Sequence, residues 1–310
     1  AIEFLGRQTA ENPFFLYVAH FSIHDPIQGR KDLVEKYRKK LANQPVQESP
    51  DFILVGNPDN PDNPTREELD KLIELPEYAK TYKTYSNDLV KVKQKQDNIE
   101  FAAMVESVDE SLGRIVAKLE ELSLDDNTIV IFFSDNGGMS AANGTPWREL
   151  EEEQLDKAYS TSNLPLRGAK GWLYEGGIRV PLIIKWPGKG KEGMECHEPV
   201  ISVDFYPTLL EMIGEADRVT QDKEGKSLFP LVRGEGGDYK LLDYYENGTV
   251  QLFNLEEDIG EQHDLSKIDV EKTRELKAKL DQWRNDVGAQ MMKPNPDYDP
   301  STDLWSGETK

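Results

Sequence analysis

The sequence predicts an α/β main domain over residues 1–225 and a small α+β subdomain, with a hairpin and a final helix, over residues 226–310. Apolar runs of strand length that end in polar clusters predict the main domain, because ligands of α/β proteins bind beyond the carboxyl ends of buried strands. A change in composition after Gly214, where glycines and charges dominate as far as Asp238, predicts the boundary.

The composition is that of a globular protein, with 37% hydrophobic and 31% charged residues. A formal net charge of −21 argues against non-specific binding to nucleic acid. No apolar run approaches the roughly 20 residues that span a bilayer, so we expect no membrane insertion. The single cysteine, Cys196, excludes an internal disulfide.

The N-terminal elements begin with an apolar run at residues 14–19, which predicts a buried strand that ends at His20. Residues 43–64 contain five prolines and predict a long loop or insertion. Thr65 and Glu68 then form a capping-box pattern, which predicts the start of another helix.

The strongest periodicity predicts a helix over residues 101–122, because apolar residues recur at spacings of three and four. They are Phe101, Met104, Val105, Val108, Leu112, Ile115, Val116, Leu119 and Leu122. A turn at residues 125–127 and a buried strand at residues 128–133 follow, which together make half of an α/β repeat.

The later elements are predicted from similar patterns. They are an acidic surface segment at 149–156, a strand at 180–185, a helix at 204–213, a hairpin at 239–254, a helix at 269–287 and an extended tail from 293.

Asp135 and Asn136 follow the strand at 128–133 and precede two glycines. A carboxylate and an amide oxygen side by side suit a hard divalent cation. An Asx-type turn explains the same four residues and is the stronger interpretation if this cluster is taken alone.

His24 and Lys170 are candidates for binding an oxyanion. His24 follows His20 by four residues, but Pro26 argues against the helix that a zinc-binding histidine pair would need. A loop histidine can instead protonate a leaving-group oxygen or bind an oxyanion, or it can be purely structural. Lys170 lies in Arg-Gly-Ala-Lys-Gly, where small neighbours allow a sulfate or phosphate to approach the ammonium.

Taken together, the clusters resemble the sulfatase family of the alkaline-phosphatase-like superfamily. The resemblance rests on His-Asp-Pro at 24–26, Ser-Asp-Asn-Gly at 134–137, and the block from Leu164 to Pro181, Leu-Pro-Leu-Arg-Gly-Ala-Lys-Gly-Trp-Leu-Tyr-Glu-Gly-Gly-Ile-Arg-Val-Pro. It continues in Val-Asp-Phe-Tyr-Pro-Thr-Leu-Leu at 203–210 and Leu-Phe-Asn-Leu at 252–255, and so covers most of the chain.

The resemblance implies an alkaline-phosphatase-like sandwich with an incomplete central sheet and flanking helices, and hydrolysis of sulfate monoesters. Asp135 and Asn136 would complete a Ca²⁺ site, with Mg²⁺ possible. Lys170 would contact the sulfate, and His24 would contact both the sulfate and the leaving oxygen. Sulfated carbohydrate is the preferred substrate over an aryl sulfate ester, because the proline-rich insertion and the segment at 139–163 could shape a cleft for a glycan. The usual location of the family implies a periplasmic or extracellular protein.

Two of the family's motifs are missing. Sulfatases make a formylglycine nucleophile in a Cys/Ser-x-Pro-x-Arg motif, but Cys196 is followed by His-Glu-Pro. The paired aspartates that the family places near its N-terminus are also missing. We therefore expect the C-terminal portion of a sulfatase, inactive alone, with the formylglycine in the N-terminal part that precedes it.

Three other interpretations stay open at this point. The first is a phosphoesterase of the same superfamily, and the second is a non-catalytic module or pseudoenzyme that binds sulfated glycans. The third is a structural protein with no site, which would make the three clusters coincidental.

Overall fold

The computed structural model describes residues 1–45, 49–56, 64–75, 89–141, 159–190, 192–196, 199–219, 225–228, 239–244, 248–286 and 288–289. The chain divides into two compact units, the first over residues 1–188 and the second over the described residues from Lys189 onward. The predicted boundary at 225 and 226 stays a prediction.

The first unit contains the helices α1 (Ile2–Leu5), α2 (Lys31–Ala42), α3 (Arg66–Leu72), α4 (Ile99–Glu121) and α5 (Glu175–Ile178). Its strands are β1 (Phe52–Gly56), β2 (Leu89–Lys93), β3 (Val130–Phe133) and β4 (Leu182–Lys185). β1 pairs with β2, and β3 pairs with β4, both antiparallel.

The second unit contains the helices α6 (Phe205–Met212) and α7 (Val270–Asp286) and the hairpin of β5 (Tyr239–Tyr244) and β6 (Thr249–Asn254). The hairpin register pairs Tyr239 with Asn254. The mixed α/β class is confirmed, with three separate two-stranded sheets among the described residues in place of one central sheet. The C-terminal hairpin followed by a helix is also present.

The longest described helix, α4, is capped at its N-terminus by Asn98, whose side-chain Oδ1 accepts a hydrogen bond from the backbone N–H of Phe101 at 3.0 Å. Its predicted apolar stripe is buried at Met104 and Leu119. Leu119 packs in a cluster with Leu5, which joins α1 to the end of α4. The predicted capping box at the start of α3 is also present, because Thr65 and Glu68 bond reciprocally.

The prediction of a buried strand at residues 14–19 is wrong. The segment is not paired as a strand, and Phe15 and Tyr17 are 76% and 80% exposed. Phe14 and Leu16 pack against the cluster of Leu5 and Leu119, so one side of the segment is covered and the other is open. An apolar segment is buried as a strand only where neighbouring strands pair with it. No described strand pairs with residues 14–19.

The insertion predicted at residues 43–64 contains β1, which pairs with β2, so its described part is not wholly loop. The acidic segment at 149–156 and the tail from 293 lie outside the described residues. No helix in the described ranges is both long and apolar enough to cross a membrane.

Candidate active site

The loop after β3 carries the predicted metal pair. Asp135 is exposed to solvent, and Asn136 is half-buried. The Asn136 side-chain Nδ2 donates to the Gly137 carbonyl oxygen at 3.0 Å, which orients the amide. The two side chains lie immediately beyond the carboxyl end of β3, as the sequence predicts.

His24 and Lys170 meet although 146 positions separate them in the sequence. The Lys170 Nζ lies 2.9 Å from the His24 Nε2. The His24 Nδ1 lies 3.4 Å from the backbone carbonyl oxygen of Asp25. A neutral imidazole with its hydrogen on Nδ1 satisfies both contacts, because Nδ1 then donates to Asp25 and Nε2 accepts from the ammonium.

Backbone hydrogen bonds join the Lys170 loop to the loop of Asp135 and Asn136. The Lys170 backbone N–H donates to the Gly138 carbonyl oxygen at 3.1 Å. The Gly137 N–H donates to the Gly177 carbonyl oxygen at 2.8 Å. Two polar clusters that are far apart in the sequence therefore form one connected surface.

Glycine is required at two positions in this surface. Gly171, directly after Lys170, has φ +92°, a conformation that side chains with a Cβ rarely adopt. A Cβ on Gly137 would lie 1.9 Å from the Gly176 carbonyl oxygen, so the two backbones touch directly. The glycine-rich motifs thus bring the backbone segments into contact.

The arginines of the Lys170 block have structural contacts. Arg179 forms an ion pair with the buried Glu175 at 3.0 Å. The guanidinium of Arg167 lies over the Tyr174 ring, 4.1 Å from its centroid, where a cation–π attraction operates. Both contacts fix the shape of the segment that carries Lys170.

Sequence reasoning missed Asn163, which contacts three separate backbone segments. Its side-chain Nδ2 lies 2.8 Å from the Gly138 carbonyl oxygen, 2.9 Å from that of Gly176 and 3.3 Å from that of Gly168. Nothing in the local sequence predicts these contacts, because all three acceptors are backbone atoms that only the fold brings together.

The donor set supplies part of a site for a hard cation. Asp135 and Asn136 offer a carboxylate and an amide oxygen, which suit Ca²⁺ or Mg²⁺, but such ions take about six to eight oxygen ligands. Among the described residues there is no group of three or more His, Cys, Asp or Glu side chains placed to hold a metal. His20 contacts Ser111 at 3.4 Å, whereas His24 contacts Lys170.

A protein-family model described as Sulfatase matches residues 1–215, and the chain therefore belongs to the sulfatase family. The family assignment does not favour the phosphoesterase, the binding module or the structural protein that the sequence left open. The predicted resemblance to sulfatases is confirmed.

Individual relatives agree with this assignment. A "Sulfatase" of Formosa agariphila is 26% identical over 97% of this chain and 49% of its own length. Mouse steryl-sulfatase is 34% identical over 49% of this chain and 23% of its own length. The crystal structure of Ps i-CgsB has a TM-score of 0.61 at 22% identity, over 94% of this chain and 55% of its own. The Formosa agariphila protein and Ps i-CgsB match almost all of this chain, and the chain spans about half of the length of each.

Proposed function

We propose that this chain contributes the sulfate-binding and proton-donating groups to the active site of a sulfuric ester hydrolase that acts on sulfate monoesters. The observation that carries the proposal is the contact of Lys170 with His24 at 2.9 Å. A cation and an imidazole that meet in the open part of a glycine-rich loop cluster can both face one bound anion.

Lys170 would bind the sulfate group and stabilise the charge that develops on its oxygens. Its ammonium offers three donors, and it is partly open to solvent, so a substrate can reach it. The hydrogen bond from the Lys170 backbone N–H to the Gly138 carbonyl oxygen fixes the backbone from which the Lys170 side chain extends. A fixed cation costs little reorganisation during the reaction.

His24 would protonate the leaving oxygen. In the structure its Nε2 accepts from the Lys170 ammonium, so the same nitrogen faces the space where a sulfate ester would bind. An ester sulfate that accepted the hydrogen bonds of Lys170 would release Nε2, which could then take up a proton from solvent and donate it to the leaving oxygen.

Asp135 and Asn136 would hold Ca²⁺, with Mg²⁺ as the other candidate. When bound, such an ion would supply positive charge opposite the sulfate oxygens. The remaining ligands and the formylglycine nucleophile would come from outside this chain, in an N-terminal part of a longer protein. Support for this comes from the oxygen chemistry of the pair and from the share of its relatives' length that the chain spans.

The expected substrate is a sulfated carbohydrate, with an aryl sulfate ester as the alternative, and the expected location is periplasmic or extracellular. A crystal structure of Ps i-CgsB in complex with k-i-k-neocarrahexaose supports the carbohydrate, as that protein has the same fold. The similarity to mouse steryl-sulfatase supports instead a sulfate ester that is smaller than an oligosaccharide.

A leaving-group series on the complete natural protein tests the role of His24. With His24→Ala, we expect a loss of about 10²- to 10⁴-fold for sulfate esters of poor alcohol leaving groups and a smaller loss for phenolic ones, because phenolates need no proton to depart. His263→Ala serves as the matched control, since its side chain is 81% exposed. Equal losses for both substrate classes would contradict the assigned role.

A further inference from the structure

The amide of Asn163 bridges the two loops that carry the candidate catalytic groups. Its Nδ2 donates toward the carbonyl oxygens of Gly138, Gly168 and Gly176, at 2.8, 3.3 and 2.9 Å. We call these four residues the Asn163 clamp. An asparagine amide nitrogen carries two hydrogens, so at least one of them is shared between two of the carbonyls.

The three carbonyls of the clamp belong to two loops, Gly138 to the loop of Asp135 and Asn136, and Gly168 and Gly176 to the block that contains Lys170. Gly138 follows Asp135 and Asn136, and its oxygen also accepts from the Lys170 backbone N–H at 3.1 Å. Gly168 lies two residues before Lys170, and its oxygen also accepts from the Ser140 hydroxyl at 3.3 Å. The Asn163 side chain therefore joins the loop of Asp135 and Asn136 to the loop of Lys170, beside the backbone hydrogen bonds that also connect them.

No other common side chain of this size can take the place of Asn163. An ionised aspartate has the same shape but no donor, and it would set a negative charge against three carbonyl oxygens. A leucine would remove the amide donor from all three oxygens, of which those of Gly138 and Gly168 have another donor. The space is also full, because a Cβ on Gly138 would lie 2.7 Å from the Asn163 Oδ1.

We propose that Asn163 is a positioning residue for sulfate ester hydrolysis. It holds the loop that carries Lys170 in a fixed position relative to the loop that carries Asp135 and Asn136. The inference rests on the proposed function for the reaction that it serves. The clamp itself rests only on the geometry, so the two can fail separately. The side chain touches backbone carbonyls and acts on the reaction through Lys170.

The test compares Asn163→Ala with Thr65→Ala in the complete natural protein. Thr65→Ala removes the capping box of α3 and leaves the clamp intact, so it controls for a general loss of stability. Hydrogen exchange followed by mass spectrometry on residues 135–141 and 165–178 reports on the loops without any need for activity. Initial rates on para-nitrophenyl sulfate report on the chemistry.

With Asn163→Ala, we expect the amides of Gly137 and Lys170 to exchange at least about tenfold faster, while α4 keeps the protection of the unmodified protein. We expect kcat and kcat/KM to fall together by about 100-fold, because a displaced Lys170 loses its contact in the transition state. Thr65→Ala should change neither the local exchange nor the rate.

Either of two results would overturn the proposal. The first is an exchange rate that stays unchanged in both loops of the Asn163→Ala variant, or that rises by the same factor in the loops and in α4. The other is a kcat within twofold of the unmodified protein at a temperature where both are folded. If the unmodified protein hydrolyses no sulfate ester, the proposed function fails, and the exchange rates alone then decide whether Asn163 holds the loops together.

Discussion

At Gly137 the backbone of the loop that carries Asp135 and Asn136 touches the backbone of the segment that carries Lys170. A Cβ there would lie 1.9 Å from the Gly176 carbonyl oxygen, which belongs to a backbone that cannot rotate away. We expect Gly137→Ala to lower the free energy of unfolding by about 3 kcal/mol, at the upper end of what overpacking costs. Chemical denaturation measures this directly.

Gly113→Ala is the matched control, because Gly113 lies inside α4 and a Cβ added to it would meet nothing within 4 Å. The same glycine-to-alanine change should raise stability there by roughly 0.5–1 kcal/mol through helix propensity. Equal effects at the two positions would contradict the close contact at Gly137.

The candidate site shows which kinds of site residue can be proposed from a sequence alone. His24, Lys170, Asp135 and Asn136 could be proposed as site residues because their motifs are contiguous in the chain and their residue types carry recognisable chemistry. The contact of His24 with Lys170 could be expected only through the family resemblance. Asn163 was missed because its three acceptors are backbone carbonyls, which have no signature in the sequence.

Among the helices, ion pairs tie α2 to α4 beside a small apolar cluster of Leu33, Val34 and Ala103. The Lys36 Nζ lies 2.5 Å from the Glu106 Oε1. The hydrogen bond from Lys36 lowers the pKa of the Glu106 carboxyl below its ordinary value. A carboxylate with a lowered pKa stabilises the folded state above its unfolded pKa, and the effect disappears as the pH falls through the folded pKa.

Lys36→Met should therefore lower Tm at pH 7, while the difference from the unmodified protein shrinks as the pH falls below about 4.5, the ordinary pKa of a glutamate. Lys39→Met is the control, because Lys39 pairs with Glu35 on the same helix at 3.5 Å and does not join α2 to α4. Thermal unfolding followed by circular dichroism across this pH range checks the expectation. A Tm difference that stays constant across the whole range would contradict it.

Most elements could be predicted from local pattern, since α4, β3, β4 and the β5–β6 hairpin lie within a few residues of their predicted bounds. Periodicity and turn chemistry determine such elements locally. The segment at 14–19 could not be predicted correctly, because strand formation depends on a partner that is distant in sequence. The pairing of strands that are far apart in the chain, such as β1 with β2 and β3 with β4, is likewise outside what a single sequence provides.

For the chain as a whole, the exposed side of the segment at 14–19 is a prominent apolar feature. Phe15 and Tyr17 of this segment, and Phe21 just after it, are each at least 75% exposed. Exposed aromatic patches favour association. We expect Phe15→Ser to lower self-association of the isolated chain in sedimentation velocity and to change the free energy of unfolding by less than about 0.5 kcal/mol.

The neighbouring Phe14 gives the opposite expectation, because it packs against the cluster that contains Leu5 and Leu119. Phe14→Ser should cost roughly 2 kcal/mol of unfolding free energy, less than the loss of a fully buried phenylalanine. If Phe15→Ser destabilised the chain as strongly as Phe14→Ser, the exposed side of this segment would be buried in solution.

The most direct test of the proposed site is the effect of Lys170→Ala on ester hydrolysis by the complete natural protein. Rates are compared on para-nitrophenyl sulfate and para-nitrophenyl phosphate, with the exposed Lys189→Ala as the control. We expect a preference for the sulfate ester and a loss of about 10²- to 10³-fold with Lys170→Ala alone. A preference for the phosphate ester, or a Lys170→Ala rate within twofold of the unmodified protein, would contradict the role of Lys170 in binding sulfate.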